Sequence, residues 1–589
     1  MLLNEFFICG KDILCQQFAM LFSHLVKTGI FPKCWTEGLI VPIHKKGNVN
    51  EVSNYRGITL LSTFGKLFTR IINNRLGQWA EDYGIIIEAQ AGFRKHYSTV
   101  DNVFVLQGII SHLLNNKKKL YCCFIDFRRA FDNISHRHLW YKLIKIGIRG
   151  KLFKIIRNMY NIVKSAVKGF DGTVSEYFEC YVGVRQGECL SPLLFSLYVN
   201  DLEEELKNND IDGIQIGHLK IFLLLYADDA VVMSETAEGL QKAINQIYDY
   251  CQKWKLTLNT DKTKVMIFRK GGRISQRDEF KYDGASLNIV KHFSYLGMTF
   301  STTGAHTKAQ QVLAGQGAKA IFEIKRYSTN FVNIQPKILN ELFDRLIEPI
   351  ISYSSEVWGF HEAPYVERLH TKFCKWALSV KTSTPNFIAR TELGRTEMKI
   401  KRYIRIIKYW MKILRCDDTR YINYVYKILL NDAENNKINW ASHVKALLYS
   451  VGLGEVWFFQ TVGNEIIFMS TLTQRLRDIN QQTITHELAK STRGKFYLSI
   501  NQNLQTPYYL NDIKIKKHRI YLTKLRTSSH ALRIETGRWK KPNKEPLQEI
   551  ICTTCNVLDD EYHFIMECSL HSNLRRTYIP RTYTESPSM

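Results

Sequence analysis

The sequence predicts an α+β protein, and three observations predict it. Short apolar runs of strand length alternate with longer amphipathic stretches over roughly the first 300 of the 589 residues. One pair of runs, Ile221-Phe222-Leu223-Leu224-Leu225 and Ala230-Val231-Val232-Met233, flanks Tyr226-Ala227-Asp228-Asp229 and reads as a buried β-hairpin with two acids at its tip. A further run, Lys119–Phe127, is a strand that carries Asp126 near its C-terminal end. Adjacent carboxylates repel, and burying charge without a partner is costly. A divalent cation is the usual compensation, since Mg²⁺ takes a few carboxylates together with waters and phosphate oxygens. Two cations about 4 Å apart need acids converging from different segments, which a strand end and a hairpin tip supply. Taken alone, the hairpin residues read equally well as an ordinary Asp-Asp turn, and Asp126 as a surface acid.

Composition narrows the setting. The length implies two to four domains, and a hydrophobic fraction of 45% supports real cores. The 81 Lys+Arg against 55 Asp+Glu leave a net charge of +26, which favours a polyanionic partner without separating RNA from DNA or from an anionic membrane. The 13 cysteines are odd in number and mostly lie in apolar segments, as in a reduced, intracellular protein. Asn4 and Glu5 interrupt the apolar N-terminus, so it lacks the form of a signal peptide. No apolar run approaches the roughly 20 residues that span a bilayer, and no membrane partner is expected.

The elements follow in order. Residues 12–30 carry a helical apolar pattern ending at Gly29. Trp35–Gly47 is a short strand running into a basic turn at Lys45 and Lys46, and an amphipathic helix follows from about Gly65 to Trp79. The loop Gln90–His96 mixes basic residues with Gly and Phe, which suits phosphate contact and base stacking; a solvated loop has the same composition. A helix opens near Ser135 and runs to Gly147. Gly183 and Gly187 bracket Arg185-Gln186, and Ser191 at the N-cap with Pro192 at the first helical position starts an apolar helix. A Gly-flanked polar loop at a helix start can approach a nucleotide closely. A helix over Ala237–Trp254, strand-turn-strand over 256–268 and a hairpin arm over 293–300 complete this part. Helical patterns follow, including Ile338–Ile350.

Seven of these stretches, in this order, resemble the successive blocks of reverse transcriptases from non-LTR (LINE-type) retrotransposons: NYRGITLLS, AGFRKHYST, FIDFRRAFD, GVRQGECLSPLLFSLYVNDL, YADD, NTDKTKVMIF and FSYLGMTF. The likeness is close from Trp35 to Phe300 and weaker to about Arg395. Group II intron proteins share a YADD-type hairpin, but NYRGITLLS and the C-terminal cysteines resemble the LINE type more. The resemblance implies a right-handed polymerase of fingers, antiparallel palm sheet and thumb. It implies an RNA-directed DNA polymerase that extends a primer 3′-OH on an RNA template with deoxynucleoside triphosphates, by two-metal nucleotidyl transfer. By the same resemblance Asp126, Asp228 and Asp229 hold two Mg²⁺ ions, and Lys262 protonates the departing pyrophosphate, Lys264 being equally near. Arg56 and Lys46 grip the triphosphate, and Gln186 lies beside the incoming nucleotide. Phe131 excludes a 2′-hydroxyl, although without the family it reads as a core aromatic. The expected setting is intracellular: the nucleus, with a cytoplasmic ribonucleoprotein stage.

Near the C-terminus, residues 513–546 carry 11 Lys/Arg against two Glu, with Trp539 among them. There follow Cys552, Cys555, His563 and Cys568, the ligand types and count of a closed tetrahedral Zn²⁺ site, with His571 as a rival to His563. The cluster resembles the zinc knuckle that follows the polymerase in LINE-type proteins, and its basic flanks fit template RNA or target DNA. The expected division is therefore 1–115 for an N-terminal helix and part of the fingers, 116–300 for the palm and 301–395 for a thumb-like helical region. Residues 396–512 form a helical connector without an assigned task, and 513–589 hold the basic segment and knuckle. Neither the stretch before the polymerase blocks nor the 21 residues after Cys568 has room for an endonuclease of such elements. A truncated element is expected, and the alternative function is a catalytically lapsed or co-opted nucleic-acid-binding relic. A DNA-templated repair-type polymerase on the same scaffold is a further, weaker reading.

Overall fold

Two apolar runs too short for helices, joined by two residues, have one compact solution, which is to pair. Leu223–Tyr226 (β6) and Asp229–Ser234 (β7) form an antiparallel hairpin in which Leu225 faces Ala230 and Tyr226 faces Asp229. Leu120–Asp126 (β3) lies antiparallel on the other side of β7, and Lys264–Phe268 (β8) pairs with β3 in turn. Asn288–Ile289 (β9) completes a five-stranded sheet of order β9-β8-β3-β7-β6. Both faces of β3 are covered, so its residues from Leu120 to Ile125 are all buried, and a continuous apolar run replaces alternation. These coordinates come from a computed structural model, which describes residues 4–45, 47–272, 278–329, 334–537 and 545–580.

Contacts divide the chain into one unit of Met1–Ala305 with Arg415–Ser442 and a second of His306–Leu414 with His443–Met589. In the first unit, a smaller sheet of order β2-β1-β4-β5 joins Glu37–His44 (β1), Tyr55–Leu60 (β2), Val163–Val167 (β4) and Phe178–Cys180 (β5). Thr63–Asp82 (α1) follows β2 and is capped by Ser62, whose hydroxyl accepts from the Gly65 N–H. Thr99–Asn115 (α2) starts with a reciprocal Ser98/Asp101 capping box and is almost wholly buried. Ala237–Trp254 (α4) packs on the five-stranded sheet as its sequence pattern predicts, with Thr236 as the cap. Tyr421–Glu434 (α5) belongs to this unit too, lying against α2, although it falls inside the stretch expected as a connector.

Three local expectations change. Leu190 occupies the N-cap of the helix Ser191–Tyr198 (α3), so Ser191 and Pro192 are its first two residues. The buried Ser191 hydroxyl lies 3.4 Å from the Tyr160 hydroxyl and is used sideways, not as a cap. Of the strand-turn-strand at 256–268 only β8 is a strand, because Leu256–Asn259 serves the turn after β3: Thr257 C=O accepts from Arg128 N–H, and Leu258 bridges Phe127. The helix expected over 338–350 widens to a five-residue turn at Phe343–Ile347, just ahead of Pro349, which has no N–H to give.

The second unit is helical, with Thr307–Ser328, Pro364–Ala377 and Glu465–Ala489 among its longer members. Glu392 is buried there and is neutralised by Arg526 at 2.8 Å, with the Tyr497 and Tyr509 hydroxyls at 2.8 and 2.7 Å. Among the described residues no helix is long and apolar enough to cross a membrane.

Candidate functional site

The sheet register places three acids together. Asp126 ends β3 directly opposite Asp229, the first residue of β7, and Asp228 is the second residue of the turn. Asp126 is held on several sides. Its N–H donates to Thr263 Oγ1, its C=O accepts from Asn259 N–H, and its carboxylate accepts from Asn259 Nδ2 at 3.1 Å. Lys262 Nζ stands 3.5 Å from the same carboxylate, whereas Lys264 lies within β8 opposite Phe124. Burial and the charge of Asp126 raise the Asp228 pKa, against the opposing pull of Arg56 and Lys45. Asp229 loses hydration among its neighbours and, with Asp228 and Asp126 beside it, is pushed up to about 6. Three clustered carboxylates, with the Asp126 charge raising the pKa of both Asp228 and Asp229, form a set of hard oxygen donors still short of positive charge, which fits Mg²⁺.

Opposite the acids lie the cations. Arg56 is exposed on β2, where it pairs in register with Ile43 of β1. Lys46 lies outside the described residues. Lys45 belongs to this group: partial burial and then the Arg56 charge lower its pKa, and Asp126 and Asp132 act on it in the opposite sense. Gln186 is held through both backbone and side chain, its C=O accepting from Thr59 N–H of β2 at 2.8 Å and its Nε2 donating to Asp132 at 3.0 Å. Phe131 is half-buried and stacks on Phe195 of α3, centroids 4.9 Å apart. Asp132, Lys45 and Asn259 are members of the site to which sequence reasoning gave no role, although Asp132 and Asn259 lie within blocks that were read and Lys45 within the basic turn.

The loop after α1 divides its residues between two tasks. Arg94 is not free for phosphate, because Glu81 grips its guanidinium in two bonds of 2.8 and 2.7 Å. Phe93, Lys95 and His96 remain exposed, and with Arg70, Asn74 and Pro192 they line a groove of about 1360 Å³.

The family model described as reverse transcriptase (RNA-dependent DNA polymerase) matches residues 43–300, the span that builds this site. Residues 43–300 are a reverse transcriptase domain. The chain is 27% identical over 400 residues to the "Probable RNA-directed DNA polymerase from transposon BS" of Drosophila melanogaster, covering 64% of this chain and 42% of that one. It is 26% identical over 382 residues to the RNA-directed DNA polymerase from mobile element jockey of the same fly, covering 61% and 39%. The chain therefore spans about two fifths of the length of these curated relatives. Among solved structures, a Candida albicans telomerase with a fragment of telomeric RNA is similar at TM-score 0.34 and 14% identity, covering 73% of this chain and 70% of that one.

Outside the reverse transcriptase domain, Cys552, Cys555, His563 and Cys568 converge so that one ligand atom from each lies within 4.8 Å of the others. Cys568 Sγ is 3.9 Å from both Cys552 Sγ and Cys555 Sγ. Sulfurs on a tetrahedron with arms of about 2.3 Å stand about 3.8 Å apart, so the thiols already hold zinc spacing. Among the described residues neither ring nitrogen of the buried His563 has a hydrogen-bond partner, Nδ1 standing 3.6 Å from the Glu567 carboxylate, an omission that a bound metal ion would explain. His571, the rival ligand, packs its ring against Phe564 and stands outside the group. Trp539, from the basic segment ahead, lies outside the described residues.

Proposed function

We propose that the chain is the RNA-directed DNA polymerase of a non-LTR retrotransposon, extending a primer 3′-OH on an RNA template with deoxynucleotides. The register that sets Asp126 against Asp229, with Asp228 on the adjoining turn, carries the proposal. The polymerase would be right-handed, with part of the fingers in residues 1–115, the palm and its acids in 116–300 and a thumb in the helices of 301–395. Two Mg²⁺ ions, when bound, supply a lowered pKa at the primer hydroxyl and neutralise the departing pyrophosphate. Asp126, Asp228 and Asp229 would hold them. Lys262 is within reach of Asp126 and carries the proton for the leaving group. Lys45 and Arg56 face the triphosphate, which Lys46 would help to grip, Gln186 lies beside the base or sugar, and Phe131 crowds the 2′ position. The four Cys and His residues hold a structural Zn²⁺ in a knuckle that, with its basic flank, takes template RNA or target DNA. Such a chain works in the nucleus after a cytoplasmic ribonucleoprotein stage.

The test is Mg²⁺-dependent extension of a DNA primer on an RNA template by the native chain and by Asp228→Ala. Extension by the first and none by the second supports the reading. Binding of primer–template with no extension by the native chain replaces it with a nucleic-acid-binding relic. Preference for a DNA template makes it a repair-type polymerase.

A further inference from the structure

We propose that Gln90 is a positioning residue for the acidic turn: its buried side-chain amide ties both backbone groups of Ala227 and thereby sets the direction of Asp228 and Asp229. The inference rests on the reading that these acids hold divalent cations.

Ala227 is the first residue of a two-residue hairpin turn and sits at φ +58, whereas the described backbone at Asp228 is not left-handed. Hairpins of this kind favour glycine at that position, because an L side chain crowds the following carbonyl. The alanine backbone therefore needs an outside hold. It is also only 7% exposed, so water is a poor partner for its N–H and C=O. Gln90, 0% exposed, meets both needs. Its Oε1 accepts from Ala227 N–H at 3.0 Å and its Nε2 donates to Ala227 C=O at 3.4 Å. Of the side chains of this length, only glutamine offers a donor and an acceptor on one planar group; ionised glutamate has no donor, and asparagine is one methylene short.

The amide is itself held. Gly92 N–H donates to the same Oε1 at 2.8 Å, and the backbone on either side of Gln90 pairs with β6 through Ala91 N–H to Leu225 C=O and Leu225 N–H to Ala89 C=O. Gly92 passes so close to the turn that a Cβ there would stand 2.2 Å from Ala227 N. Arg94 donates to the Gln90 and Ile87 carbonyls while clamped by Glu81. The latch is thus a braced extra strand residue on the edge of the hairpin, and a side chain supported in this way fixes geometry well.

The experiment uses the full chain and four variants: Gln90→Ala, the milder Gln90→Asn, Ala227→Gly, and Gln90→Ala with Ala227→Gly. Mn²⁺ binding is followed by electron paramagnetic resonance with the native chain and Asp228→Ala as references, alongside thermal unfolding, primer–template affinity and extension. Gln90→Ala is expected to weaken the Mn²⁺ site about tenfold and to lower kcat at least as much. Primer–template affinity and KM for the nucleotide stay near native, and Gln90→Asn falls between. Glycine at 227 adopts φ near +58 unaided, so the double variant should regain most of the lost Mn²⁺ affinity. A purely structural role for the loop predicts no such rescue, and absence of rescue overturns the proposal. So does native Mn²⁺ affinity in both Gln90 variants. If the native chain binds Mn²⁺ through Asp228 and never extends a primer, the polymerase reading fails while the latch is still tested. If Asp228→Ala leaves Mn²⁺ binding unchanged, the metal reading and the latch both fall.

Discussion

Phe131 shows how one side chain acquires a task from its neighbour. Its ring stacks on Phe195, which would hold it in place if, as proposed, it crowds the 2′ position of the incoming nucleotide. Phe131→Val should raise ribonucleotide incorporation relative to deoxynucleotide by about tenfold or more, read as the ratio of kcat/KM values. Lys142 shows the opposite case, a charge enclosed by the fold. Its ammonium donates to Asp201 at 2.7 Å and the Tyr250 hydroxyl at 2.8 Å, beneath the Trp254 ring at 3.8 Å. Burial outweighs the Asp201 attraction and lowers its pKa from 10.5 to about 8. Between those values the unfolded chain binds the proton and the folded one does not, so stability rises with pH across that window. Below it, the full cost of the buried charge is present. The unfolding free energy of the native chain minus that of Lys142→Met should therefore climb from pH 8 towards 10.5, by up to about 1.4 kcal/mol per unit. A flat difference would refute the assignment.

At the scale of elements, α5 is the least expected part of the first unit. A chain segment that returns after residue 414 lays this helix on α2, where a Cβ on Gly108 would stand 2.3 Å from Val425 Cγ1. Asp432 accepts from His112 at 2.7 Å and Lys437 at 2.9 Å, and Arg420 joins Glu88 at 3.1 Å over the Tyr97 ring at 3.5 Å. Glu88 is two residues from Gln90, so α5 supports the loop that grips the acidic turn. Valine is stiff at χ1 and cannot move aside, so Gly108→Ala should destabilise the first unit by about 1–3 kcal/mol in denaturant unfolding. Adding Val425→Ala should recover part of that loss. A helix here agrees with the helical character expected of residues 396–512. Its partner was not legible, because an apolar stripe does not say which surface will cover it.

For the whole molecule, two units imply separable responses to metal removal. The Cys552, Cys555, His563 and Cys568 group lies in the second unit and the acids in the first. Purified protein should contain about one equivalent of zinc. A strong zinc chelator, or Cys555→Ser, should loosen residues 545–580 in hydrogen exchange while the reverse transcriptase domain keeps its protection. Protein without zinc, and with unchanged protection after chelation, would remove the zinc assignment.

By itself the sequence determined the elements that carry chemistry: the strand ending at Asp126, the hairpin bearing Asp228 and Asp229, and the spacing of the cysteines and histidine. These were legible because strand runs, turn residues and ligand types are local signals. Tertiary structure alone decided how they are supported. Gln90 meets Ala227 across 137 residues of chain, Thr263 and Asn259 hold Asp126 from beyond the hairpin, and Leu256–Asn259 gives up a strand to brace a turn. Ser191 leaves its cap for a buried neighbour, and residues 415–442 join a unit they follow by more than a hundred residues. Each of these depends on which surfaces meet, and hydrogen bonds between distant segments form only when packing of the core has brought them together.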